Sequence, residues 1–430
     1  MGIKELYALY LTCGCRVTTD SRAIEGGEIF FALRGENFDG NNYAQQALKD
    51  GAAYAVVNAD ADLSGDKLIP VEDPLTTLRD LAIHHRETLG IPVIGLTGTN
   101  GKTTTKELIA AVLSRKYRIT ATQGNLNNDI GVPLSLLKMR SDTELAVIEM
   151  GANHPDDIAK LVKVSRPTHG LITNVGKAHL LGFGSIEGVK AAKGELYNWL
   201  GAHHGLIFLN EDDTDLREMA NRQPCHQFGY GLAAQGAKIL PATSESPFLA
   251  LDVPGYGEIH TSLVGAYNAT NVLAALAVGR YFGVPEADAV AAIEAYAPAN
   301  QRSQMQKTER NTLIVDAYNA NPSSMAVALD NLAAVQAPRK LALLGEMREL
   351  GAESETEHQA VVRRLLDAGL DALLVGEEFI KATRECRAAF KCFETSDELA
   401  AWLSENPVSG ATILVKGSRG TRMEKVLPSL

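Results

Sequence analysis

Short apolar runs alternate with longer segments of helical periodicity along almost the whole chain. The runs that predict strands are residues 28–33, 52–57, 93–94, 118–122, 145–150, 169–175, 205–210, 313–318, 340–347, 371–376 and 412–417. Between them, apolar residues recur at spacings of three and four, as in amphipathic helices. Alternating strands and helices build parallel sheets with crossover helices, so the pattern predicts the α/β class.

The alternation falls into three groups, which predict three domains. Residues 1–88 predict a small α/β domain that ends with a connecting helix at 74–89. Residues 89–299 predict a central domain with a mainly parallel sheet, closed by helices at 267–282 and 285–296. Residues 300–430 predict a Rossmann-like α/β domain. Proline, alanine and asparagine between Ala297 and Asn300 predict a hinge before this third domain.

Composition narrows the class of protein. A chain of 430 residues with 45% hydrophobic residues can form several cores. No apolar run approaches the roughly 18 residues of a membrane span, and the first residues do not form a signal segment. The net charge of −11 gives no reason to expect nucleic acid as a partner. Five cysteines without metal-ligand spacing are typical of reduced thiols, so we expect a cytoplasmic protein.

The stretch IPVIGLTGTNGKTTTKEL, residues 91–108, predicts a phosphate site. A β-branched run breaks at Gly98, Thr99, Asn100 and Gly101 and continues as a helix. The first amides of such a helix have no partner within it, and they bind anions together with the helix dipole. In this pattern Lys102 contributes a charge for the β- and γ-phosphates, and the Thr103 hydroxyl can bind Mg²⁺.

The match to the strict P-loop pattern is incomplete. The pattern requires a glycine five residues before Gly101, where this chain has Leu96, and Gly95 is displaced by one position. The alternative is a glycine turn before an ordinary helix. The preceding strand and the following Lys-Thr pair favour a nucleoside triphosphate site.

Three polar features fall at the predicted carboxyl ends of central strands, where ligands bind in open α/β sheets. They are the segment GNLNND (124–129), Glu149 and His179. Glu149 has the carboxylate oxygens that Mg²⁺ prefers, although a strand-end acid also often caps a helix. His179 by itself is a weaker candidate than Glu149, because a histidine in a glycine-rich loop is commonly a solvated residue.

Lys193 lies on the apolar stripe of a predicted helix, four residues after Val189. A lysine is almost never buried without a partner, and burial lowers its pKa. A neutral amine beside a metal can take up CO₂ and become a carbamate, which is an anionic oxygen ligand. The alternative is a lysine whose ammonium reaches solvent at the edge of the helix, and the spacing favours neither.

Further polar residues are individually weak candidates. Asn268 suits a helix N-cap, whereas Asn271 within the first turn could bind adenine through its amide. Arg302 could reach a phosphate, and Asp316 at a strand end could hold a ribose hydroxyl. The segment Thr19-Asp20-Ser21-Arg22 predicts a polar turn.

Taken together, the motifs resemble the Mur ligase family, the ATP-dependent amino-acid-adding enzymes of peptidoglycan synthesis. The resemblance covers nearly the whole chain. It rests on DSRAIEGGEIFFALRG (20–35), GTNGKTTTKE, GNLNNDIGVP, EMGANHPDDI, NVGKAHLLGFGSIEGVKAAKGELY, DAYNANPSSM and GEMRELG. The family's P-loop departs from the strict pattern in the same way. DAYNANPSSM resembles the dipeptide-adding members in particular.

The resemblance implies an enzyme that uses ATP to join D-alanyl-D-alanine to UDP-N-acetylmuramoyl-tripeptide through an acyl phosphate. We expect a monomer, although the sequence does not define the oligomeric state. The resemblance also implies that the loop Gly98–Thr104, Asn268, Asn271, Arg302 and Asp316 bind ATP. It implies two Mg²⁺ sites formed by Thr103, Glu149, His179 and a carbamylated Lys193, with Lys102 catalytic alongside the last three. It implies substrate contacts from Ser21 and Arg22 to the UDP group, and from Asn319, Asn321 and Ser418 near the dipeptide.

Some alternatives stay open at this point. The family commonly has histidine and an aromatic residue after FDG, whereas this chain has Asn41, Asn42 and Tyr43, so the contacts to uridine are not defined. The sequence also does not distinguish lysine from diaminopimelate in the tripeptide. Rival hypotheses are another Mur enzyme, a folylpolyglutamate synthase, and a nucleotide-dependent switch without ligase activity.

Overall fold

Three sheets flanked by helices organise the chain, and each sheet is formed from one consecutive part of the sequence. A computed structural model describes residues 1–241, 247–298 and 302–430. The predicted α/β class with three domains is confirmed. The exact domain boundaries stay a prediction, and the expected hinge at 297–300 lies partly outside the described residues.

The N-terminal part contains a four-stranded parallel sheet and a two-stranded ribbon. The sheet order is β1-β2-β5-β6, and β3 pairs with β4. The strands are β1 (Val17–Thr18), β2 (Ile29–Phe31), β3 (Arg34–Gly35), β4 (Phe38–Asp39), β5 (Tyr54–Asn58) and β6 (Leu68–Val71). The helices are α1 (Ile3–Thr12), α2 (Ala44–Lys49) and α3 (Pro74–Leu89).

Local signals set both ends of α3, whose predicted limits are the observed ones. The Asp73 side chain accepts hydrogen bonds from the amides of Leu75 and Thr76, and Pro74 occupies the first turn, where its missing N–H costs no helical bond. Gly90 ends the helix with φ of 62°, a left-handed conformation that glycine adopts without steric penalty. The chain then enters the central sheet.

The central part contains a six-stranded parallel sheet in the order β12-β11-β10-β7-β9-β8. A separate antiparallel sheet, β13-β14-β15, was not predicted. The strands are β7 (Val93–Thr97), β8 (Ile119–Ala121), β9 (Leu145–Glu149), β10 (His169–Ile172), β11 (Leu206–Asn210), β12 (His226–Tyr230), β13 (Lys238–Leu240), β14 (Phe248–Val253) and β15 (Gly257–Val264). The helices are α4 (Lys102–Leu113), α5 (Gly131–Leu136), α6 (Asp157–Ser165), α7 (Leu180–Phe183), α8 (Ile186–Ala202), α9 (Thr214–Asn221), α10 (Leu232–Gln235), α11 (Ala269–Tyr281) and α12 (Glu286–Ala295).

The C-terminal part contains a six-stranded sheet in the order β16-β17-β21-β18-β19-β20, parallel except for the pairing of β16 with β17. The short strands β16 and β20 were not predicted. The strands are β16 (Gln304–Lys307), β17 (Thr312–Asp316), β18 (Lys340–Gly345), β19 (Asp371–Val375), β20 (Lys391–Phe393) and β21 (Thr412–Lys416). The helices are α13 (Pro322–Ala334), α14 (Ser354–Asp367), α15 (Glu377–Glu385) and α16 (Ser396–Glu405).

Burial on both faces fixes β7 in the middle of the central sheet. Val93 belongs to the core on one face, and Ile94 and Leu96 belong to the core on the other. Such a strand reads as a continuous apolar run, as expected for an interior parallel strand. The loop after Thr97 therefore emerges at the carboxyl edge of the sheet, between the ends of β9 and β10.

None of the helices in the described ranges combines the length and apolar composition that crossing a bilayer requires.

Candidate active site

A cleft of about 780 Å³ lies between the central and C-terminal domains. The central domain lines it with the loop after β7, the ends of β9 and β10 and the start of α11. The C-terminal domain lines it with the loop after β17 and the first turn of α13. Predicted site residues found in the lining are Thr99, Asn100, Gly101, Lys102, Thr104, Glu149, His179, Asn268, Asn271, Arg302, Asp316, Asn319 and Asn321.

Two glycines permit the tight loop between β7 and α4. Gly98 has φ of 148°, and a Cβ there would lie 2.0 Å from the Thr173 hydroxyl oxygen. Gly101 has φ of 77°, and its Cβ would lie 2.7 Å from Asn271 Oδ1. Any other side chain would meet both backbone strain and a steric clash at these positions. The loop can therefore form only with glycine at these places.

The start of α4 presents free amides. The backbone N–H groups of residues 101–104 donate to no atom in the described part of the chain. Lys102 Nζ donates to the carbonyl oxygens of Gly98 (2.6 Å) and Thr99 (3.0 Å). Burial lowers the pKa of Lys102 to about 8, against the opposing effect of Glu149, so the ammonium form predominates at pH 7. These donors lie where the sequence predicts an anion site, and free amides at a helix start are suited to bind one.

The chain after β10 holds this loop in place. Asn174 Oδ1 accepts from the Asn100 amide at 3.0 Å, and Asn174 Nδ2 donates to the Asn100 carbonyl at 3.0 Å. The Thr173 hydroxyl donates to the same carbonyl at 2.6 Å. Neither Thr173 nor Asn174 was predicted as a site residue, because a polar pair after a strand has no distinctive spacing. Its role depends on the neighbouring strand.

Glu149 lies beneath the cleft floor with 1% of its surface exposed. Its Oε1 accepts from Asn127 Nδ2 (2.9 Å) and from the Thr103 hydroxyl (3.3 Å). Its Oε2 has no hydrogen-bond partner, and the nearest cation is Lys106 Nζ at 3.8 Å. A buried carboxylate oxygen without a partner is costly unless a ligand completes it. Glu149 does not cap a helix, since it ends β9 and faces α4.

His179 lies in the cleft lining, at the N-cap position of α7. Its Nδ1 is 2.5 Å from Glu349 Oε2 of the C-terminal domain. Burial lowers the pKa of His179, with Lys102 and Lys193 acting in the same direction and Glu349 opposing. The imidazole is therefore a partly buried side chain paired with an acid of the other domain, and burial disfavours its charged form.

Lys193 is buried behind the cleft, with 2% of its surface exposed, so it is not a lysine that extends from the edge of the helix. Its Nζ lies 5.6 Å from the centre of the Phe183 ring and forms no hydrogen bond or ion pair with any described residue. Burial lowers the pKa of Lys193 to about 7, and the nearby Lys102 contributes to the shift. The lowered pKa favours the neutral amine.

The two asparagines at the start of α11 are engaged with the protein. Asn271 Oδ1 accepts from the Thr105 hydroxyl at 3.0 Å, and Asn271 Nδ2 donates to Asn268 Oδ1 at 2.8 Å. Asn268 occupies the N-cap position, but its side chain does not cap the helix and donates instead to the Val264 carbonyl at 2.9 Å. Asn268 therefore occupies the expected N-cap position without the expected side-chain hydrogen bond. Both amides lie at the cleft wall.

The C-terminal domain contributes charge to the other wall. The Arg302 guanidinium lies 3.8 Å from the centre of the Tyr318 ring, and its buried Nε has no hydrogen-bond partner. Asp316 pairs with Lys416 Nζ, which also donates to the Asn319 carbonyl at 3.2 Å. Lys416 is only 1% exposed and was not predicted as a site residue, because a lysine that ends an apolar strand gives no indication of its partner.

The remaining predicted substrate contacts differ in position. Asn321 caps α13 and donates from Nδ2 to Asn100 Oδ1 at 2.8 Å, which joins the two domains across the cleft. Ser418 lies outside the lining, and its hydroxyl donates to the Ala320 carbonyl at 3.3 Å and accepts from the Arg348 amide at 2.9 Å. Ser21 and Arg22 lie in a turn of the N-terminal domain away from the cleft lining, where Arg22 pairs with Asp20.

The donor set fits a magnesium ion. Mg²⁺ takes a few oxygen ligands from protein and the rest from water and phosphate. The unpartnered Oε2 of Glu149 and the Thr103 hydroxyl beside it are suitable oxygen donors. Among the described residues, no three histidine, cysteine or acidic side chains form a metal site by themselves.

Models of three Mur ligase domains match successive parts of this chain. The Mur ligase family catalytic domain matches residues 16–93, the Mur ligase middle domain matches residues 96–279, and the Mur ligase glutamate ligase domain matches residues 301–419. Together these matches span most of the 430 residues.

Individual relatives extend the similarity to whole proteins. The UDP-N-acetylmuramoyl-tripeptide–D-alanyl-D-alanine ligase of Escherichia coli (strain K12) is 37% identical, over 96% of this chain and 93% of that protein. The ligase of the same name from Bacillus subtilis (strain 168) is 33% identical, over 96% of this chain and 92% of that protein. Among solved structures, MurF from Acinetobacter baumannii has a TM-score of 0.84 at 32% identity, covering 96% of this chain and 93% of that chain. MurF ligase from Thermotoga maritima in complex with ADP has a TM-score of 0.82 at 27% identity, covering 96% of each chain. The chain belongs to the Mur ligase family.

Proposed function

We propose that this chain is an ATP-dependent ligase that joins D-alanyl-D-alanine to UDP-N-acetylmuramoyl-tripeptide in the cytoplasmic synthesis of peptidoglycan precursors. The observation that carries the proposal is the cleft, in which the free amides of residues 101–104 and Lys102 meet Arg302 of the C-terminal domain. Relatives that match 96% of the chain have that activity in their names, and one related structure contains ADP.

The chemistry requires activation of an acid. A carboxylate and an ammonium do not form an amide at pH 7. A carboxylate oxygen of the tripeptide attacks the γ-phosphorus of ATP, ADP leaves, and an acyl phosphate forms. The free amine of the dipeptide then attacks the carbonyl carbon, and inorganic phosphate leaves with the carboxylate oxygen. Lys102 and the helix amides bind the phosphate charge, which lets the second anion approach.

We assign Thr103, Glu149, His179 and a carbamylated Lys193 to two magnesium sites. Bound magnesium neutralises phosphate charge and orients the γ-phosphate for in-line attack. Glu149 suits this role through its unpartnered oxygen, and His179 through a ring nitrogen that Glu349 does not engage. The neutral amine of Lys193 attacks CO₂ and loses a proton, which converts a buried base without a partner into an anionic ligand.

The three domains have separate roles in this proposal. Residues 1–88, with Ser21 and Arg22, bind the UDP group, and residues 89–299 bind ATP, with Asn268 and Asn271 beside the base. Residues 300–430 bring Arg302 to the phosphates, Asp316 to the ribose, and Asn319, Asn321 and Ser418 close to the dipeptide. The enzyme acts as a monomer. Closure of the third domain excludes water, which would otherwise hydrolyse the acyl phosphate.

The test is the substrate dependence of ADP release. The full chain is assayed with ATP and Mg²⁺, and with UDP-muramoyl-tripeptide and D-Ala-D-Ala added separately and together. We expect sustained ADP release only with both, because neither half-reaction alone turns over. The panel includes UDP-muramoyl peptides with lysine or diaminopimelate, and glutamate as an alternative acceptor.

Two outcomes would replace the proposal. ADP release without either substrate would indicate a nucleotide-dependent switch. Turnover with another acyl acceptor, but not with D-Ala-D-Ala, would indicate a different ligase of the family.

A further inference from the structure

Two residues from different domains meet at the edge of the cleft. His179 belongs to the central domain, and Glu349 lies in the segment between β18 and α14 of the C-terminal domain. The Nδ1 of His179 lies 2.5 Å from Oε2 of Glu349. An ionised carboxylate can only accept a hydrogen bond, so the proton of this contact belongs to Nδ1.

The backbone fixes both partners. His179 has φ of 51° and Glu349 has φ of 66°, and non-glycine residues rarely adopt these left-handed conformations. The Leu181 amide donates to the Glu349 carbonyl at 3.1 Å, and Gly351 packs against Leu181. Strained residues persist where surrounding contacts determine them, and they concentrate at functional sites. The side-chain contact is thus one part of a docked pair of loops.

The consequence concerns the other ring nitrogen. In the neutral imidazole, a proton on Nδ1 leaves the lone pair on Nε2 of this cleft-lining residue. Histidines that bind metals commonly donate their second nitrogen to a carboxylate, which fixes the tautomer and the ring orientation. This arrangement prepares His179 to bind a cation before the cation arrives.

We propose that Glu349 is a positioning residue: the C-terminal domain supplies the carboxylate that sets the tautomer and orientation of His179 in the cleft. This inference rests on the proposed function, since His179 then contributes to magnesium binding only when the two domains are together. Docking of the C-terminal domain onto the central domain is in this way coupled to completion of the proposed magnesium site.

The competing explanation is that Glu349 only holds the domains together. A second ion pair makes this distinguishable, because Lys177 Nζ lies 2.5 Å from Glu357 Oε1 across the same interface. The Lys177 amide also donates to the Ser323 hydroxyl at 3.1 Å. Glu357 does not contact His179, so its loss weakens docking without affecting the imidazole directly.

The decisive experiment observes the imidazole itself. The full chain is labelled with ¹⁵N-histidine, and His179→Gln identifies the His179 resonances among the ten histidines. In metal-free protein we expect the pattern of an Nδ1–H tautomer for His179. Glu349→Ala is expected to convert it to a mixture, Glu349→Gln to preserve it through the amide oxygen, and Glu357→Ala to leave it unchanged. An unchanged tautomer in Glu349→Ala, or the same change in Glu357→Ala, would overturn the proposal.

An activity measurement complements the spectra. In the ligase assay, Glu349→Ala is expected to raise the Mg²⁺ concentration for half-maximal rate by about 10-fold or more, the usual effect of removing such a partner. Glu357→Ala is expected to stay within about twofold. Equal effects of Glu349→Ala and Glu357→Ala would indicate that Glu349 only holds the two domains together. If no ligation occurs with any substrate, the proposed function fails, whereas the tautomer measurement still decides the role of Glu349.

Discussion

Replacing Lys102 by methionine is expected to lower kcat/KM for ADP formation by about 10³-fold, in the range measured when one donor to a developing oxyanion is removed. The Lys102 ammonium lies over the loop carbonyls beside the free amides of α4. Methionine keeps most of the side-chain volume and removes the charge. The measurement is the steady-state rate of ADP release, with the concentration of one substrate varied while the other substrates are saturating.

The control is Lys163→Met, which removes a lysine exposed on α6 of the same domain. We expect this variant to retain wild-type kinetics. A Lys102→Met enzyme within tenfold of wild type, with normal thermal stability, would contradict a role for this residue in phosphate transfer.

Replacing Lys193 by alanine is expected to abolish most activity, by at least 10²-fold, and short carboxylic acids are expected to restore part of it. The reason is that Lys193 is buried without a polar partner, and alanine leaves a space in which a small carboxylate can replace the carbamate. The pKa of about 7 provides the neutral amine that reacts with CO₂. As the pH falls below 7 the amine becomes protonated, so carbamylation is expected to decline.

A direct observation of the carbamate accompanies this prediction. Wild-type protein equilibrated with ¹³C-bicarbonate should give a carbamate signal at pH 8 that weakens at pH 6. The signal should be absent in Lys193→Ala. Lys190→Ala is the matched control, since Lys190 lies on the same helix and pairs with Asp215 at the surface. Full activity of Lys193→Ala without added carboxylic acid would contradict a role for the carbamate in the reaction.

The parts of the site that are local in sequence could be predicted from the sequence. The turn between β7 and α4 requires glycines at 98 and 101, and its amides and Lys102 are adjacent in the chain. Glu149 and His179 could be placed near it because parallel strands bring their carboxyl ends to one edge. The fold class followed from the alternation of apolar runs, since each predicted strand lies in one of the three sheets.

The parts that depend on contacts between residues distant in the sequence could not be predicted. Lys416 looks like the end of an ordinary strand until Asp316 is placed beside it. Glu349 looks like a loop acid until the C-terminal domain brings it to His179. Helix spacing left the two alternatives for Lys193 equal, and the packing around α8 decides for burial. Asn268 lies at the predicted helix start, but a nearby carbonyl competes for its side chain.

In the proposed mechanism, an oxygen of the tripeptide carboxylate bonds to the γ-phosphorus of ATP and later leaves with inorganic phosphate. The direct measurement uses UDP-muramoyl-tripeptide in which both oxygens of the reacting carboxylate are ¹⁸O, together with ATP and D-Ala-D-Ala, and mass analysis of the released phosphate. We expect one ¹⁸O atom in each phosphate formed. Phosphate without ¹⁸O, with amide product present, would contradict an acyl phosphate on this enzyme.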